Sequence, residues 1–111
     1  MKSLKSQTSL RFAVLGLAAL VAAPAFAETP IATAIYRCEG DKGVGATYYP
    51  DSVDLILTDG RSLDLPQVIS GSGTRYANAD ESFQFFSKGD TAFIAEGSDD
   101  NITFKDCLAI Q

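Results

Sequence analysis

The sequence predicts an all-β domain, either a small antiparallel barrel or a sandwich. After residue 27, no segment places its apolar residues at the period of a helix. Short runs rich in β-branched and aromatic residues recur instead, about every ten residues. Turns containing glycine and aspartate separate these runs, so one antiparallel sheet can fold over a single core.

The first two predicted strands lie before Pro50. They are "IATAIYRCE" at 31–39 and "VGATYY" at 44–49, with the glycine-rich turn "GDKG" between them. Alternate residues of a strand share a face. We expect the more uniformly apolar face of the first strand to meet the core. That face carries Ala32, Ala34, Tyr36 and Cys38.

A hairpin is predicted in the middle of the chain. "SVDLILT" at 52–58 alternates apolar and polar residues, and "DG" follows at 59–60. Aspartate and glycine tolerate the positive φ that tight hairpin turns require. The return strand lies in "RSLDLPQVI" at 61–69 and is expected to run up to Pro66. Val53, Leu55 and Leu57 share one face of the first strand, and Leu63 and Leu65 share one face of the return strand.

Three further strands are predicted after a glycine-rich stretch at 68–80. Their sequences are "SFQFFS", "TAFIAE" and "ITFKDCLAI", separated by the turns "KGD" and "GSDDN". Phe83 and Phe85 occupy alternate positions in the first of them. The chain therefore contains seven or eight strands, with no repeat and no linker that would indicate a second domain.

Residues 1–27 have the features of a cleaved secretory signal peptide. Three basic residues and an apolar run come first, and Ala25 and Ala27 are the small residues that signal peptidase accepts. An uncleaved membrane helix is the weaker interpretation, because such a helix needs roughly 20 apolar residues. No cysteine lies near the cleavage point. We expect an exported domain at 28–111, without a stable membrane anchor.

Cys38 and Cys107 are the two cysteines of the chain, and both lie in the predicted domain. Two cysteines in an exported chain indicate one disulfide. A redox role is not indicated, because the cysteines form no C-x-x-C motif. The sequence contains no histidine and no D-x-D-x-D-G run, so neither a zinc nor a calcium site is expected.

The predicted domain is strongly acidic. It has six basic against fourteen acidic residues, or −8, because three of the nine basic residues lie in the leader. This charge argues against nucleic acid and anionic membranes as partners, and it favours either a cationic partner or simple solubility. Many of the carboxylates sit in turn stretches, where solvation is a simpler explanation than a glycosidase pair.

The stretch "VISGSGTRYANAD" at 68–80 is the candidate functional site of the sequence. It lacks the Lys-Ser/Thr pair that ends a P-loop, and a strand rather than a helix is expected to follow it. A phosphate-binding loop is therefore not indicated. A nucleophile at Ser70 or Ser72 would need Lys88 or Lys42 as its base, because no histidine exists. The purely structural interpretation is a tight loop shaped by its glycines, in which Arg75 and Tyr76 pack at a corner of the fold.

Several segments together resemble the MliC/PliC family of bacterial inhibitors of C-type lysozyme. They are "YRCEG" at 36–40, "VDLILTDGRSLDLPQVISGSGTRYANAD" at 53–80, "FFSKGDTAFI" at 85–94 and the late Cys107. The resemblance covers nearly the whole predicted domain, and "SGSGxRY" with "SKGD" is the specific combination. One departure is Phe86, which stands where the family often has tryptophan.

The resemblance implies an eight-stranded antiparallel β-barrel closed by a Cys38–Cys107 disulfide. It implies that a serine of "SGSG" and the lysine of "SKGD" enter the lysozyme cleft. The serine is assigned to Ser72, with Ser70 as second choice, and the lysine to Lys88. The remaining implied contacts are Gly71 and Gly73, and the implied loop supports are Arg75 and Tyr76.

The resemblance favours a periplasmic inhibitor that has C-type lysozyme as its partner and has neither a cofactor nor catalysis of its own. Two alternatives come from the residues alone. One is a barrel that binds a small apolar or saccharide ligand, and the other is a serine–lysine hydrolase. A homodimer is possible, because exposed barrel strands could support one.

Overall fold

The computed structural model describes residues 28–110. The predicted signal peptide at 1–27 lies outside the described residues, as does Gln111. Eight strands form within the described part of the chain. They are β1 (Ala32–Arg37), β2 (Gly43–Tyr48), β3 (Ser52–Leu57), β4 (Ser62–Val68), β5 (Thr74–Ala77), β6 (Phe83–Lys88), β7 (Thr91–Glu96) and β8 (Ile102–Ala109).

The eight strands form one closed antiparallel barrel in sequence order. Each strand pairs with the next, and β1 pairs with β8 to close the sheet. The prediction of an all-β, eight-stranded antiparallel barrel is confirmed. Between residues 28 and 110, no helix is long and apolar enough to cross a membrane.

Two short seams join the barrel into a closed ring. At β1–β8 only Tyr36↔Ala109 and Arg37↔Leu108 are paired, and at β4–β5 only Gln67↔Tyr76 and Val68↔Arg75. Four to six residue pairs join every other pair of neighbouring strands. The barrel therefore consists of two four-stranded meanders, β1–β4 and β5–β8, that meet along two narrow lines.

The disulfide lies at the first of these seams. Cys38 directly follows β1 and Cys107 lies in β8, and the two sulfurs are bonded as predicted. Both cysteines are buried in the core cluster. The covalent link therefore holds the first and last strands together where few backbone hydrogen bonds do so.

The second seam begins only after Pro66, and β4 continues past this residue to Val68. The Gln67 N–H donates to Asp51 O at 2.8 Å, on the β3 side. Since successive N–H groups of a strand alternate in direction, the Pro66 nitrogen faces β5, where no pairing has yet begun. A proline is tolerated there because no ladder bond is lost.

The core is aromatic at its centre. Phe85 is fully buried and packs against Tyr36, Tyr48 and Tyr76, with ring centroids 6.1 to 6.4 Å apart. The hydroxyl groups of Tyr36 and Tyr48 lie 2.7 Å apart, so they satisfy each other by a hydrogen bond. Burial is the main reason that the pKa of Tyr36 is raised. The leucine and valine residues that share a face in each strand of the central hairpin all face the core, with Leu63 only partly buried.

The central hairpin forms, but its turn differs in detail from the expectation. Leu57 N donates to Arg61 O and Gly60 N donates to Leu57 O, which encloses a three-residue loop. Only Gly60 has a positive φ, of 97°, and Asp59 does not. A type I turn followed by a left-handed glycine explains this pattern.

An ionic network joins the turn of this hairpin to the end of β7. The Arg61 guanidinium donates to both carboxylate oxygens of Glu96, at 2.7 and 3.0 Å, and to Asp59. The Thr103 hydroxyl donates to Glu96 as well. These hydrogen bonds, those from Arg61 above all, hold the pKa of Glu96 below its ordinary value, although partial burial opposes them.

Removal of the disulfide should destabilise the barrel strongly. The Cys38→Ala/Cys107→Ala double variant should lose about 4 kcal/mol of unfolding free energy, because the unfolded chain regains the freedom of a loop of roughly 70 residues. That is a large share of the stability of a domain of this size. Urea unfolding followed by tyrosine fluorescence measures the loss. A double variant as stable as the oxidised protein would contradict this role.

Replacement of Glu96 should change how stability depends on pH. A carboxyl whose pKa is lowered by folding stabilises the protein above its unfolded pKa, near 4.3, and this contribution disappears as pH falls through the lower folded pKa. Glu96→Gln should therefore lose stability at pH 7 and show a shallower decline below about pH 4.5. Urea unfolding across pH 2–7 tests this, with Glu28→Gln as an exposed control. Parallel curves for Glu96→Gln and the wild type would refute it.

Candidate functional site

The two sequence motifs meet at one end of the barrel. In an antiparallel barrel built in sequence order, connections alternate between the two ends. The β4–β5 loop at 69–73 and the β6–β7 turn at 89–90 therefore share an end. A shallow groove of about 360 Å³ lies between them. It is lined by Ser70, Ser72, Phe86, Ser87, Lys88, Thr91, Ala92 and Phe93.

Gly73 holds the loop against the end of β6. Its φ is +70°, and an added Cβ would lie 2.6 Å from Ser87 O and 3.0 Å from Lys88 Cβ. Only glycine allows an approach this close. The next residue strengthens the contact, because the hydroxyls of Thr74 and Ser87 are hydrogen-bonded at 2.8 Å. The loop and Lys88 therefore form one continuous surface.

The two serines of the loop differ in their contacts. The Ser70 hydroxyl donates to Ser72 O at 2.9 Å, and Ser72 N donates back to Ser70 Oγ at 3.4 Å. Ser70 is half-buried, whereas Ser72 is exposed. The Ser72 hydroxyl has no hydrogen-bond partner within residues 28–110. Ser70 is thus used to shape the loop, and Ser72 presents its hydroxyl to solvent.

Lys88 is the last residue of β6 and is exposed. The turn after it has two residues, and Gly89 supplies the positive φ, of 58°. The Thr91 hydroxyl donates to Lys88 O at 2.9 Å, which fixes the backbone of the turn. The Lys88 ammonium makes neither a salt bridge nor a hydrogen bond to another described residue.

Arg75 lies on the outer face beside the loop. Its guanidinium donates to Glu81 at 3.0 Å and lies 5.9 Å from the centre of the Phe86 ring. Phe86 in turn stacks on Phe93, with centroids 4.4 Å apart. Arg75 Nη1 is buried without a hydrogen-bond partner in the described part of the chain. Phe86, at the position of the usual tryptophan, is therefore a half-buried residue of the outer face that packs beside Arg75.

Tyr76 points the other way, into the barrel. It is 4% exposed and packs against Tyr48 and Phe85 beneath the loop. Burial raises its pKa. The two residues paired in the motif therefore lie on opposite faces of β5, as alternation within a strand requires.

Sequence reasoning did not identify β5 as a strand. It is four residues long and lies between the glycine-rich loop and "NADES", so its β signal is weak. It also missed Thr74, whose hydroxyl joins the loop to β6, and Glu81, which holds Arg75. The alternation of Thr74 and Tyr76 before "ANAD" was the available signal for the strand.

The arrangement argues against the two alternatives. A serine–lysine dyad needs a desolvated lysine, and both Ser72 and Lys88 are exposed. A ligand-binding barrel needs interior space, yet the interior is occupied by the buried aromatic and aliphatic core. Among residues 28–110, no cluster of three or more carboxylate or cysteine side chains could hold a metal ion.

Comparison with known proteins identifies the family. The family model described as "Membrane-bound lysozyme-inhibitor of c-type lysozyme" matches residues 36–103. A protein of Yersinia enterocolitica named "Membrane-bound lysozyme inhibitor of C-type lysozyme" is 38% identical over 98 residues, which cover 86% of this chain and 80% of that protein. No solved structure matches the chain significantly. The match confirms the resemblance seen in the motifs, and the chain belongs to this MliC family of lysozyme inhibitors, which are not enzymes.

Proposed function

We propose that this domain inhibits C-type lysozyme in the periplasm by inserting the 69–73 loop and the Lys88 side chain into the active-site cleft. The observation that carries this proposal is that Ser72 and Lys88 line one groove at one end of the barrel. Both are exposed, and neither side chain is engaged within the described residues. The two groups are therefore free to meet a partner together.

The chemistry of the lysozyme cleft suits these two groups. Lysozyme cleaves with two carboxyl groups roughly 5 Å apart, one held protonated as general acid and one ionised. An ammonium beside them binds the ionised carboxylate and lowers the pKa of the acid, because a nearby positive charge favours ionisation. A serine hydroxyl both donates and accepts, so it can pair with a protonated carboxyl.

The rigidity of the loop supports tight binding. A loop that is already ordered loses little conformational entropy when it binds. Gly73 packs against the β6 backbone, and Ser70 closes a hydrogen bond inside the loop. On the neighbouring strand, Arg75 is held between Glu81 and Phe86. Gly71, with open space around its Cα, keeps the tip thin enough for a cleft built for a sugar chain.

The charge of the domain favours the encounter. C-type lysozymes are typically basic, and the predicted domain carries −8. Opposite net charges accelerate association at low ionic strength. Lys88, exposed at this end of an acidic domain, gives the attraction a defined orientation, because its ammonium can then be directed at the carboxylates of the cleft.

The cellular role follows from export. The leader predicted at 1–27 would deliver the domain to the periplasm, where it would protect peptidoglycan from lysozyme that crosses the outer membrane. A lipid anchor is not part of the proposal, because no cysteine lies near the predicted cleavage point. A homodimer is compatible with it, provided that the 69–73 loop stays accessible.

The oxidised 28–111 domain should abolish lysis of peptidoglycan-walled cells by a C-type lysozyme at about equimolar ratio. Lys88→Ala should weaken inhibition roughly 30-fold or more, since loss of one buried charged contact costs about 2 kcal/mol or more. Ser72→Ala should weaken it more than Ser70→Ala does. The inhibition constant from a lysis titration is the readout for each variant.

Lys42→Ala is the matched control for that titration. It removes the same charge from the β1–β2 connection at the opposite end of the barrel, and it should inhibit as the wild type does. Full potency of Lys88→Ala would exclude the proposed lysine role. Failure of the wild-type domain to inhibit at a large molar excess would exclude the function itself.

Gly73→Ala should disrupt the site through geometry alone. Its new Cβ would clash with Ser87 O, and its positive φ disfavours any residue with a side chain. We expect a loss of about 1–3 kcal/mol in unfolding free energy and weaker inhibition. Gly71→Ala is the control for stability, because nothing lies within 4 Å of that added Cβ. Wild-type melting and inhibition in Gly73→Ala would refute the proposed anchoring contact.

A further inference from the structure

The groove beside Lys88 is flanked by large apolar side chains that face solvent. Ile69, at the start of the loop, is 93% exposed, and Leu108 on β8 is 58% exposed. Phe93, on the wall of the groove, is 36% exposed. None of the three belongs to the core, because the inward positions next to them are taken by residues such as Ala92 and Cys107.

These side chains are close neighbours of the proposed contacts. Ile69 directly precedes Ser70. On the other side, Lys88 pairs with Thr91 across β6–β7, and Thr91 pairs with Leu108 across β7–β8. Adjacent strands are about 4.8 Å apart, so Leu108 lies two strands, or about 10 Å, from Lys88. Directly opposite residues project from the same face of a sheet.

A bulge in β8 opens a second groove that continues from the first. The register of β7 and β8 shifts on both sides of Ile94, and Asp106 has a left-handed φ of 55°. As a result, Lys105 and Asp106 both face solvent between buried Phe104 and Cys107. The space beside this bulge measures about 790 Å³ and shares Thr91, Ala92 and Phe93 with the Lys88 groove.

The chemistry of this second groove fits a protein surface with basic and apolar groups. Its lining includes the apolar side chains of Phe93 and Leu108 and the charged side chains of Asp100, Lys105 and Asp106. Protein interfaces combine apolar and polar groups, and aromatic residues are enriched in them. The two carboxylates complement a cationic partner, and Lys105 adds one positive charge beside them.

We propose that Ile69, Phe93 and Leu108 form an apolar flank that contacts the lips of the lysozyme cleft on both sides of the inserted loop. This inference rests on the proposed function and extends its contact surface. Ser72 and Lys88 engage the catalytic carboxyls, which lysozymes of this type share. The flank meets the lips of the cleft and discriminates between lysozymes whose lips differ.

The test compares Ile69→Ser and Leu108→Ser with Ile56→Ser in the oxidised domain. Ile56 is the matched control, because it is a 67% exposed isoleucine on the outer face of β3. Each flank variant should raise the inhibition constant about tenfold, as truncation of an apolar anchor does. The fold change should differ between two C-type lysozymes of different sequence. Ile56→Ser should inhibit as the wild type does, and all three should melt near the wild-type temperature.

Four results would overturn the inference. Wild-type inhibition by both flank variants, alongside weak inhibition by Lys88→Ala, would leave the proposed function intact and remove the flank. Equal losses of inhibition in all three serine variants would show that serine at any exposed apolar position weakens inhibition, wherever that position lies. If chitotriose bound the free domain and Phe93→Ala abolished that binding without affecting inhibition, the second groove would be a saccharide site instead. No inhibition by the wild type would remove the function and the flank together.

Discussion

Closure of the barrel across two narrow seams is the constraint on which the rest of the structure depends. Each four-stranded meander is well paired within itself, but only two residue pairs join the meanders at each seam. The Cys38–Cys107 disulfide secures one seam covalently. The other is bridged by the 69–73 loop itself, which runs from β4 to β5 and whose Gly73 packs against Ser87 and Lys88 of β6. The proposed inhibitory loop is thus also a structural connection, which explains why it is ordered without a partner.

Because the loop is both a structural connection and the proposed contact, its residues fall into two groups. The contacts of Gly73, Thr74 and Ser70 are made within the protein, whereas Ser72 and Lys88 remain exposed at the end of the barrel. Residues on both faces of β5 also hold the loop in place. Outside, Arg75 is held by Glu81 and Phe86, and inside, Tyr76 packs on the aromatic core. A loop that is already ordered loses little conformational entropy on binding, so more of the free energy of its contacts appears as affinity for the partner.

The strand pattern and the disulfide could be predicted because alternation and cysteine count are properties of the sequence. β5 was missed, because a strand of four residues after a glycine-rich loop offers only the short alternation of Thr74 and Tyr76 as a signal. Its pairing to β4 also depends on closure of the whole sheet. The preference for Ser72 over Ser70 stays a prediction, and the hydrogen bond that occupies the Ser70 hydroxyl supports it. The exposure of Ile69 could not be predicted from the sequence, because an isoleucine at the end of a strand suggests burial. Only the fold shows that its side chain is 93% exposed.

The most direct test of the account is competition between this domain and a saccharide for the lysozyme cleft. The Kd of the oxidised domain for a C-type lysozyme would be measured by calorimetry at increasing concentrations of chitotriose, which occupies the cleft. If the loop and Lys88 enter the cleft, the apparent Kd should rise in proportion to the chitotriose concentration above the saccharide's own Kd. An unchanged Kd at saturating chitotriose would contradict insertion into the cleft and place the contact elsewhere on lysozyme.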